Sequence, residues 1–172
     1  MLGTGVNIAP AWETHFNIED IVWQNAVGVS VSGNSITKTA ADGWNNAGAS
    51  SVQSLASGAG YVEFSSSAAA SSMAGLSNGD SDQGVADIDF AVFFHTDGIA
   101  YVYESGAWKA SLAAYVPGDV FRVSVEGGVV KYRKNGALLY TSLVAPTYPL
   151  LVDTSIYNNG GQILNAVIGF PA

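Results

Sequence analysis

The chain has 172 residues, no cysteine and a formal net charge of −8 at pH 7. Apolar residues make up 48% and charged residues 12%, so we expect a single domain over residues 1–172 that buries a core without disulfides. Six basic residues against fourteen acidic ones argue against a nucleic-acid partner, because a phosphate backbone has to be neutralised by cations. The lack of cysteine also excludes thiolate zinc sites and cysteine nucleophiles.

The first residues show neither a basic segment followed by an apolar one nor a stretch approaching eighteen apolar residues, and no such stretch occurs later. We therefore expect no membrane insertion, no export signal in this chain, and a module taken from a longer protein. Residues 1–20 lack alternation but contain Trp12 and Phe16, which indicates an N-terminal arm that packs on the domain or closes a sheet edge.

Short stretches rich in β-branched and aromatic residues follow, separated by glycine, asparagine and aspartate turns, which is typical of a many-stranded antiparallel sandwich or barrel. No amphipathic helix stands out, and the serine- and alanine-rich segment 65–72 is interpreted as a loop within the domain. The predicted strands are 21–24, 27–32, 35–38, 49–54, 60–64, 72–76, 88–95, 99–104, 107–110, 120–125, 129–134, 137–142, 150–154 and 163–168.

The stretch 120–142 allows a prediction of strand register. Asn135-Gly136 favours a two-residue type I′ hairpin turn, and Gly127-Gly128 marks the turn before it. The predicted cross-strand pairs are Tyr132 with Leu139, Lys131 with Tyr140, Val123 with Tyr132 and Arg122 with Arg133. The predicted core face of this meander is Phe121, Val123, Val125, Val130, Tyr132 and Leu139.

Two arginines opposite one another, Arg122 and Arg133, need a neutralising group between them. We expect an internal salt-bridge network with Asp87 or Asp89 from a neighbouring strand, and an anionic glycan is the alternative. Alternation along the predicted strand 88–95 places Ile88, Phe90, Val92 and Phe94 on one face and Asp87, Asp89, Ala91, Phe93 and His95 on the other.

Five segments, taken together in chain order, form a recognisable pattern: a strand, a Gly-Asp turn, a second strand, a Lys-Asn-Gly hairpin and a final Pro-Leu strand. They are 87–92, 97–104, 118–123, 130–136 and 148–152. They resemble the concanavalin A-like lectin/glucanase superfamily, especially the laminin G-like and SPRY-like modules of bacterial surface and polysaccharide-processing proteins, from about Val22 to Ile168. The resemblance implies a jelly roll of two antiparallel sheets, one of them concave, with ligands on that face or on loops at one rim.

Members of this superfamily bind sugars or protein partners, and some are glycosidases. The glycosidases use a Glu-x-Asp-x-(x)-Glu strand motif, which this chain lacks. On one strand face Asp87 and Asp89 would lie about 6.6–7 Å apart, a spacing compatible with an inverting pair, but we interpret them as partners of arginine or as caps of backbone groups. The only histidines are His15 and His95, which excludes a three-histidine metal site. We therefore expect no enzyme, and a polysaccharide hydrolase or lyase is the weaker alternative.

Sugar rings are held by aromatic stacking and a few convergent hydrogen bonds. Trp44, in a turn-rich segment rich in amides, is the first candidate, and Tyr157 in an asparagine-rich loop is the second. Burial in the sandwich is an equally good account of each, and it applies also to the further aromatic candidates Tyr101, Tyr103 and Trp108. The predicted ligand-binding set is Trp44, Asn45, Asp80, Asp82, Arg133, Tyr157 and Asn158.

The segment 78–84 concentrates oxygen ligands of the kind that calcium requires, with Asp80 and Asp82 as the predicted metal ligands. Calcium is thus the one cofactor that the sequence suggests, although the same composition is typical of ordinary turns.

The sequence predicts a non-catalytic, lectin-like module of an extracellular or cell-surface protein that binds a polysaccharide or glycan. The alternative is a structural or protein-binding domain of an adhesin or phage-type fibre, in which the same aromatic residues are buried or lie at a subunit interface. A homo-oligomer is compatible with both hypotheses.

Overall fold

The computed structural model describes residues 15–67 and 70–172. Within them the chain forms one short 3₁₀ helix, Val85–Asp87, and fifteen strands. The strands are β1 (Phe16–Asp20), β2 (Trp23–Val27), β3 (Val29–Ser32), β4 (Ser35–Lys38), β5 (Gly48–Leu55), β6 (Gly60–Ser66), β7 (Ser72–Ser77), β8 (Phe90–Phe94), β9 (Ile99–Glu104), β10 (Ala107–Ala114), β11 (Phe121–Glu126), β12 (Val129–Lys134), β13 (Ala137–Thr141), β14 (Leu150–Ile156) and β15 (Gln162–Pro171).

The strands form two antiparallel sheets, as predicted. The eight-stranded sheet has the order β13-β12-β11-β6-β15-β4-β3, with β1 also paired to β15. The seven-stranded sheet has the order β10-β9-β8-β7-β14-β5-β2. No helix long and apolar enough to cross a membrane occurs in residues 15–67 or 70–172.

The predicted N-terminal arm falls into two parts. Trp12 and the rest of residues 1–14 lie outside the described residues. Phe16–Asp20 forms β1, which pairs antiparallel with the end of β15, from Phe16 opposite Pro171 to Asp20 opposite Val167.

The core lies between the sheets, where alternate side chains of both meet. Phe94 of β8 contacts Phe64 and Phe121 of the opposite sheet edge to face, with ring centroids 5.9 and 5.0 Å apart. The hydroxyl of Tyr132 donates a hydrogen bond of 3.1 Å to buried Glu104. This bond crosses the core from β12 to β9 and gives two buried polar groups a partner.

The strands β7 and β8 are buried along their whole length. Phe90, Val92 and Phe94 belong to the main core, whereas Ala91 and Phe93 pack with Met73 on the outer face of the seven-stranded sheet. Burial on both faces explains why the sequence of β8, FAVFF, is a continuous apolar run. The outer face of this sheet therefore has to be covered.

The predicted register of the 120–142 meander is confirmed in part. Arg122 lies opposite Arg133, and Val123 lies opposite Tyr132. An irregularity in β13 then shifts the pairing, so that Tyr132 lies opposite Tyr140 and Lys131 opposite Thr141. The predicted pairs of Tyr132 with Leu139 and of Lys131 with Tyr140 are therefore wrong. Leu139 is 39% exposed instead of buried in the core, because a bulge moves the side chains that follow it to the other face of the sheet.

The predicted strand 88–95 begins too early, because Val85–Asp87 forms the 3₁₀ helix and β8 starts at Phe90. Asp87 and Asp89 are therefore not neighbours on a strand face, and the geometric basis for an inverting glycosidase pair is lost. Both carboxylates instead bind backbone groups, with Ser81 N donating to Asp87 (2.7 Å) and Asn78 N to Asp89 (2.9 Å).

The predicted salt-bridge network exists, but its carboxylates are not those predicted. Glu63 of the neighbouring β6 accepts Nε of Arg122 at 2.7 Å, and Glu126 accepts bonds from Arg133 and Lys131. Asp87 and Asp89 belong to the seven-stranded side and do not take part. The guanidinium of Arg122 also stacks 3.8 Å above the ring of Tyr61.

The acid stability of the protein should depend on Glu126. Burial acts to raise the pKa of Glu126, but hydrogen bonds from Arg133, Lys131 and Ser124 outweigh it and lower the pKa to about 2. Its stabilising effect is therefore present above the unfolded value of 4.5 and is lost as the pH falls toward 2. Because partial exposure screens the ion pairs, we expect Glu126→Gln to remove about 1 kcal/mol at pH 7. The loss should be smaller at pH 2, where Glu126 is partly protonated. Urea unfolding between pH 2 and 7 measures this, with Glu19→Gln on β1 as the control.

Candidate functional site

A segment that we call the covering segment, Asn78–Asp89, packs against the outer face of the seven-stranded sheet. Its apolar residues Val85 and Ile88 join Met73 and Phe93 in the outer apolar cluster. Hydrogen bonds fasten it to the strands below, from Ser155 Oγ to the carbonyl of Gln83 (2.8 Å) and from Ser77 Oγ to the carbonyl of Asp87 (2.6 Å).

A run of rings, which we call the aromatic surface, lies beside the covering segment. Trp44 contacts Phe93 and Tyr157 with ring centroids 5.8 and 5.3 Å apart, and Phe93 contacts Tyr103 and His95 at 5.1 and 5.3 Å. Every one of these contacts is edge to face, the arrangement that aromatic rings prefer. The aromatic surface consists of Trp44, Phe93, His95, Tyr101, Tyr103 and Tyr157. Phe93 is buried, and the other five side chains are partly exposed.

Hydrogen-bonding groups border the aromatic surface. Tyr101 donates from its hydroxyl to Asp97 at 2.6 Å, and this bond lowers the pKa of Asp97 and raises that of Tyr101. Asn45 is exposed next to Trp44. Asn158 follows Tyr157 and accepts the backbone N–H of Ser71 through Oδ1 at 2.8 Å, which leaves its side-chain NH₂ as a donor.

Lys38 holds the two loops that carry Trp44 and Tyr157. It is 1% exposed, and its ammonium donates to the carbonyls of Gly43 (2.6 Å), Ile156 (2.9 Å) and Tyr157 (2.8 Å) and to Oδ1 of Asn46 (2.6 Å). Burial lowers the pKa of Lys38, and the nearby Asp42 carboxylate partly offsets this effect. The position of both rings therefore depends on one buried charge.

Three carboxylates meet under the covering segment. One oxygen from each of Asp80, Asp87 and Asp153 lies within 4.8 Å of the other two. Asp153 is 2% exposed in the middle of β14, and its Oδ2 has no hydrogen-bond partner in the described part of the chain. Burial, together with the charge of Asp80, raises the pKa of Asp153 to about 9.

The structure brings together only some of the predicted site residues. Trp44, Asn45, Tyr157 and Asn158 lie in the two loops joined by Lys38. Asp82 is exposed, and its Oδ1 accepts the N–H of Gly84 at 2.6 Å. Oδ1 of Asp82 and Oδ1 of Asn45 both lie close to Gly84, since a Cβ added at this glycine would be 2.7 and 2.9 Å from them. Asp80 belongs to the carboxylate cluster.

Arg133 lies elsewhere. It extends from the outer face of the eight-stranded sheet, where it pairs with Glu126, and does not approach the aromatic surface.

Sequence reasoning missed Lys38 and Asp153. Each carried one signal, a charged residue within a strand whose neighbours are apolar or small, as in the β14 sequence LLVDTSI. Charged residues are rarely fully buried unless they have partners, so such a position deserves notice. The sequence could not show which partners they find, because these come from segments far away in the chain.

Comparison with known proteins gives a fold but no close relative. No protein-family model and no curated sequence matches the chain. The VIP36 exoplasmic/lumenal domain in its Ca²⁺/Man-bound form has a TM-score of 0.65 and 8% identity, over 87% of this chain and 83% of that one. The TRIM65 PSpry domain has a TM-score of 0.60 and 11% identity over 90% of each chain. The chain has a concanavalin A-like sandwich fold.

An enzyme shares this concanavalin A-like fold too. Alginate lyase AlgAT5 from Polysaccharide Lyase family 7 has a TM-score of 0.54 and 14% identity, over 84% of this chain and 82% of that one. The fold that the sequence resemblance implies is thereby confirmed. At such identities the likeness extends to the fold alone.

Lys38→Met should loosen the two aromatic loops. A buried acceptor left without its donor costs about 1–3 kcal/mol, and Lys38 serves four acceptors, so we expect a loss of about 3 kcal/mol in the free energy of unfolding. Near-UV circular dichroism should lose intensity at the same time, because Trp44 and Tyr157 are no longer fixed. Lys109→Met, on exposed β10, is the matched control and should change neither quantity. Unchanged stability in Lys38→Met would refute the role given to this ammonium.

Proposed function

We propose that this concanavalin A-like domain is a non-catalytic, lectin-like module that binds a glycan or polysaccharide on the aromatic surface. The observation that carries the proposal is the continuous contact of aromatic rings from Trp44 through buried Phe93 to Tyr103, in which Trp44 and Tyr103 are partly exposed, with amide side chains at its border. Ring faces of this kind stack on the apolar faces of sugars, and the amides supply directional hydrogen bonds.

The charge of the protein indicates which glycans fit. The chain carries a net charge of −8, and the acidic side chains Asp42 and Asp97 lie beside the aromatic surface. Carboxylates accept hydrogen bonds from sugar hydroxyls but repel uronic acids and sulfates. Neutral glycans are therefore the proposed ligands, and the basic residues around Arg133 lie on the other sheet.

The burial of Asp153 supports a binding role over hydrolysis. A glycosidase needs two carboxyl groups on either side of an accessible glycosidic bond. Within the described residues, the close carboxylate trio includes Asp153, which is only 2% exposed beneath the covering segment and out of reach of a sugar. The likeness to an alginate lyase keeps a lyase as the enzyme alternative, to be tested by assaying the protein on alginate.

Calcium and an extracellular or cell-surface location complete the proposal. The acidic covering segment borders the aromatic surface, and VIP36, a neighbour in fold, is known in a Ca²⁺/Man-bound form from an exoplasmic/lumenal domain. Both features are consistent with a lectin-like module that works outside the cytosol.

A protein-binding role is the second candidate, and exposed apolar residues around β13 favour it. Leu138, Leu143 and Val144 are 49%, 97% and 47% exposed next to the sheet edge. Apolar residues grouped on a surface mark contacts with other proteins or other copies of a chain. Light scattering coupled to size-exclusion chromatography decides whether this edge forms a homo-oligomer.

Trp44→Ala should weaken glycan binding strongly. We expect the wild-type domain to bind members of a neutral glycan array in buffer with calcium, and the variant to lose at least tenfold in affinity, because the stacking face is removed. Arg133→Gln on the opposite sheet should bind as the wild type does. Silence of the wild type across neutral and acidic glycans, or equal binding by Trp44→Ala, would refute the carbohydrate proposal and favour the protein-binding one.

A further inference from the structure

The carboxylate oxygen Oδ2 of Asp153 is buried and has no hydrogen-bond partner within the described residues. Asp153 extends from the centre of the outer face, between its strand neighbours Gly75 of β7 and Ser50 of β5, and is 2% exposed. Its Oδ1 accepts the N–H of Thr154 at 2.7 Å, whereas no donor in the described part of the chain reaches Oδ2. A buried carboxylate oxygen is normally paired, hydrogen-bonded or bound to a metal.

The groups around this oxygen are acidic. Asp80 and Asp87 approach from the covering segment, each with an oxygen within 4.8 Å of one from Asp153, and no basic side chain pairs with any of the three in the described residues. Three carboxylates gathered without a cation repel one another strongly in a site of low dielectric. The arrangement is thus electrostatically incomplete.

A calcium ion completes this arrangement in both charge and distance. Calcium binds oxygen at about 2.3–2.6 Å, so oxygens on opposite sides of one ion lie up to about 4.6–5.2 Å apart, and the three carboxylates fit within that span. We infer that Asp80, Asp87 and Asp153 form a calcium site that fastens the covering segment to β14. This inference rests on the proposed function and specifies its calcium ligands, which are Asp87 and Asp153 together with Asp80 and do not include Asp82. The site would bind the ion with no glycan present.

The remaining contacts of the cluster orient its carboxylates. Asp80 Oδ2 accepts Ser50 Oγ at 2.6 Å and Asn25 Nδ2 at 3.1 Å. Asp87 Oδ2 accepts the N–H of Ser81 at 2.7 Å. Such bonds fix the ligand oxygens before the ion arrives. A cation here ties the covering segment to the sheet next to Trp44 and Phe93, and so stabilises the border of the aromatic surface.

Calorimetric titration of chelator-treated protein with CaCl₂, in the absence of any glycan, tests the site. We expect one ion per chain, a melting temperature that rises with calcium concentration, and tighter binding of calcium than of magnesium. Asp153→Asn and Asp87→Asn should each weaken calcium binding at least tenfold, whereas Asp20→Asn on β1 removes the same charge elsewhere and should bind normally. Asp87 is partly exposed, so its variant keeps the test valid if Asp153→Asn does not fold.

Hydrogen exchange measures the fastening itself. With calcium, amides of the covering segment should exchange at least tenfold more slowly in the wild type but not in Asp87→Asn. Absence of calcium binding by folded wild-type protein at millimolar concentration shows that a proton alone neutralises Asp153 and overturns the inference, as does wild-type affinity in both aspartate variants. Either result leaves the aromatic surface to be judged by its own glycan measurements, so the two proposals can fail separately.

Discussion

The pairing of β7 with β8 produces a strip of sheet that is apolar on both faces, and the position of the candidate site follows from this constraint. One face is covered by the opposite sheet. The other face, with Met73, Ala91 and Phe93, needs a cover of its own, and Trp44 together with Val85 and Ile88 provides it. Covering this strip brings an acidic segment and an aromatic loop onto the same side of the sandwich, where carboxylates and rings meet.

Charged side chains are neutralised in different ways in different parts of the fold. On the eight-stranded sheet, Arg122, Arg133 and Lys131 pair with Glu63 and Glu126 at a partly exposed surface, so the charges neutralise one another and leave little for a ligand. Two other buried ionisable side chains form no ion pair within the described residues. Lys38, at the end of β4 in the eight-stranded sheet, is satisfied by neutral oxygen acceptors and organises two loops, whereas Asp153 on the seven-stranded sheet lies among further carboxyl groups.

The sequence predicted local features well because these depend on alternation and turn chemistry. The Gly-rich turn before β12 fixed the pairing of Arg122 with Arg133, whereas the bulge near Leu139 left no mark that periodicity could detect. For the site, the local composition around Trp44 and Tyr157 suggested both residues as ligand contacts. Local composition could not show that Arg133, placed in the same set, lies on the other sheet. The partners of Asp153 come from residues some seventy positions earlier, and only the folded arrangement brings them together.

We propose that ligands bind on the outer face of the seven-stranded sheet. Chemical-shift mapping by ¹H–¹⁵N NMR, with calcium present and neutral oligosaccharides including mannose oligomers as probes, is a direct test of this. Binding there should concentrate the shifts on the indole of Trp44, the side-chain amides of Asn45 and Asn158, and neighbouring backbone amides. Shifts confined to residues around Arg122 on the eight-stranded sheet, or no shifts with any probe, would contradict it.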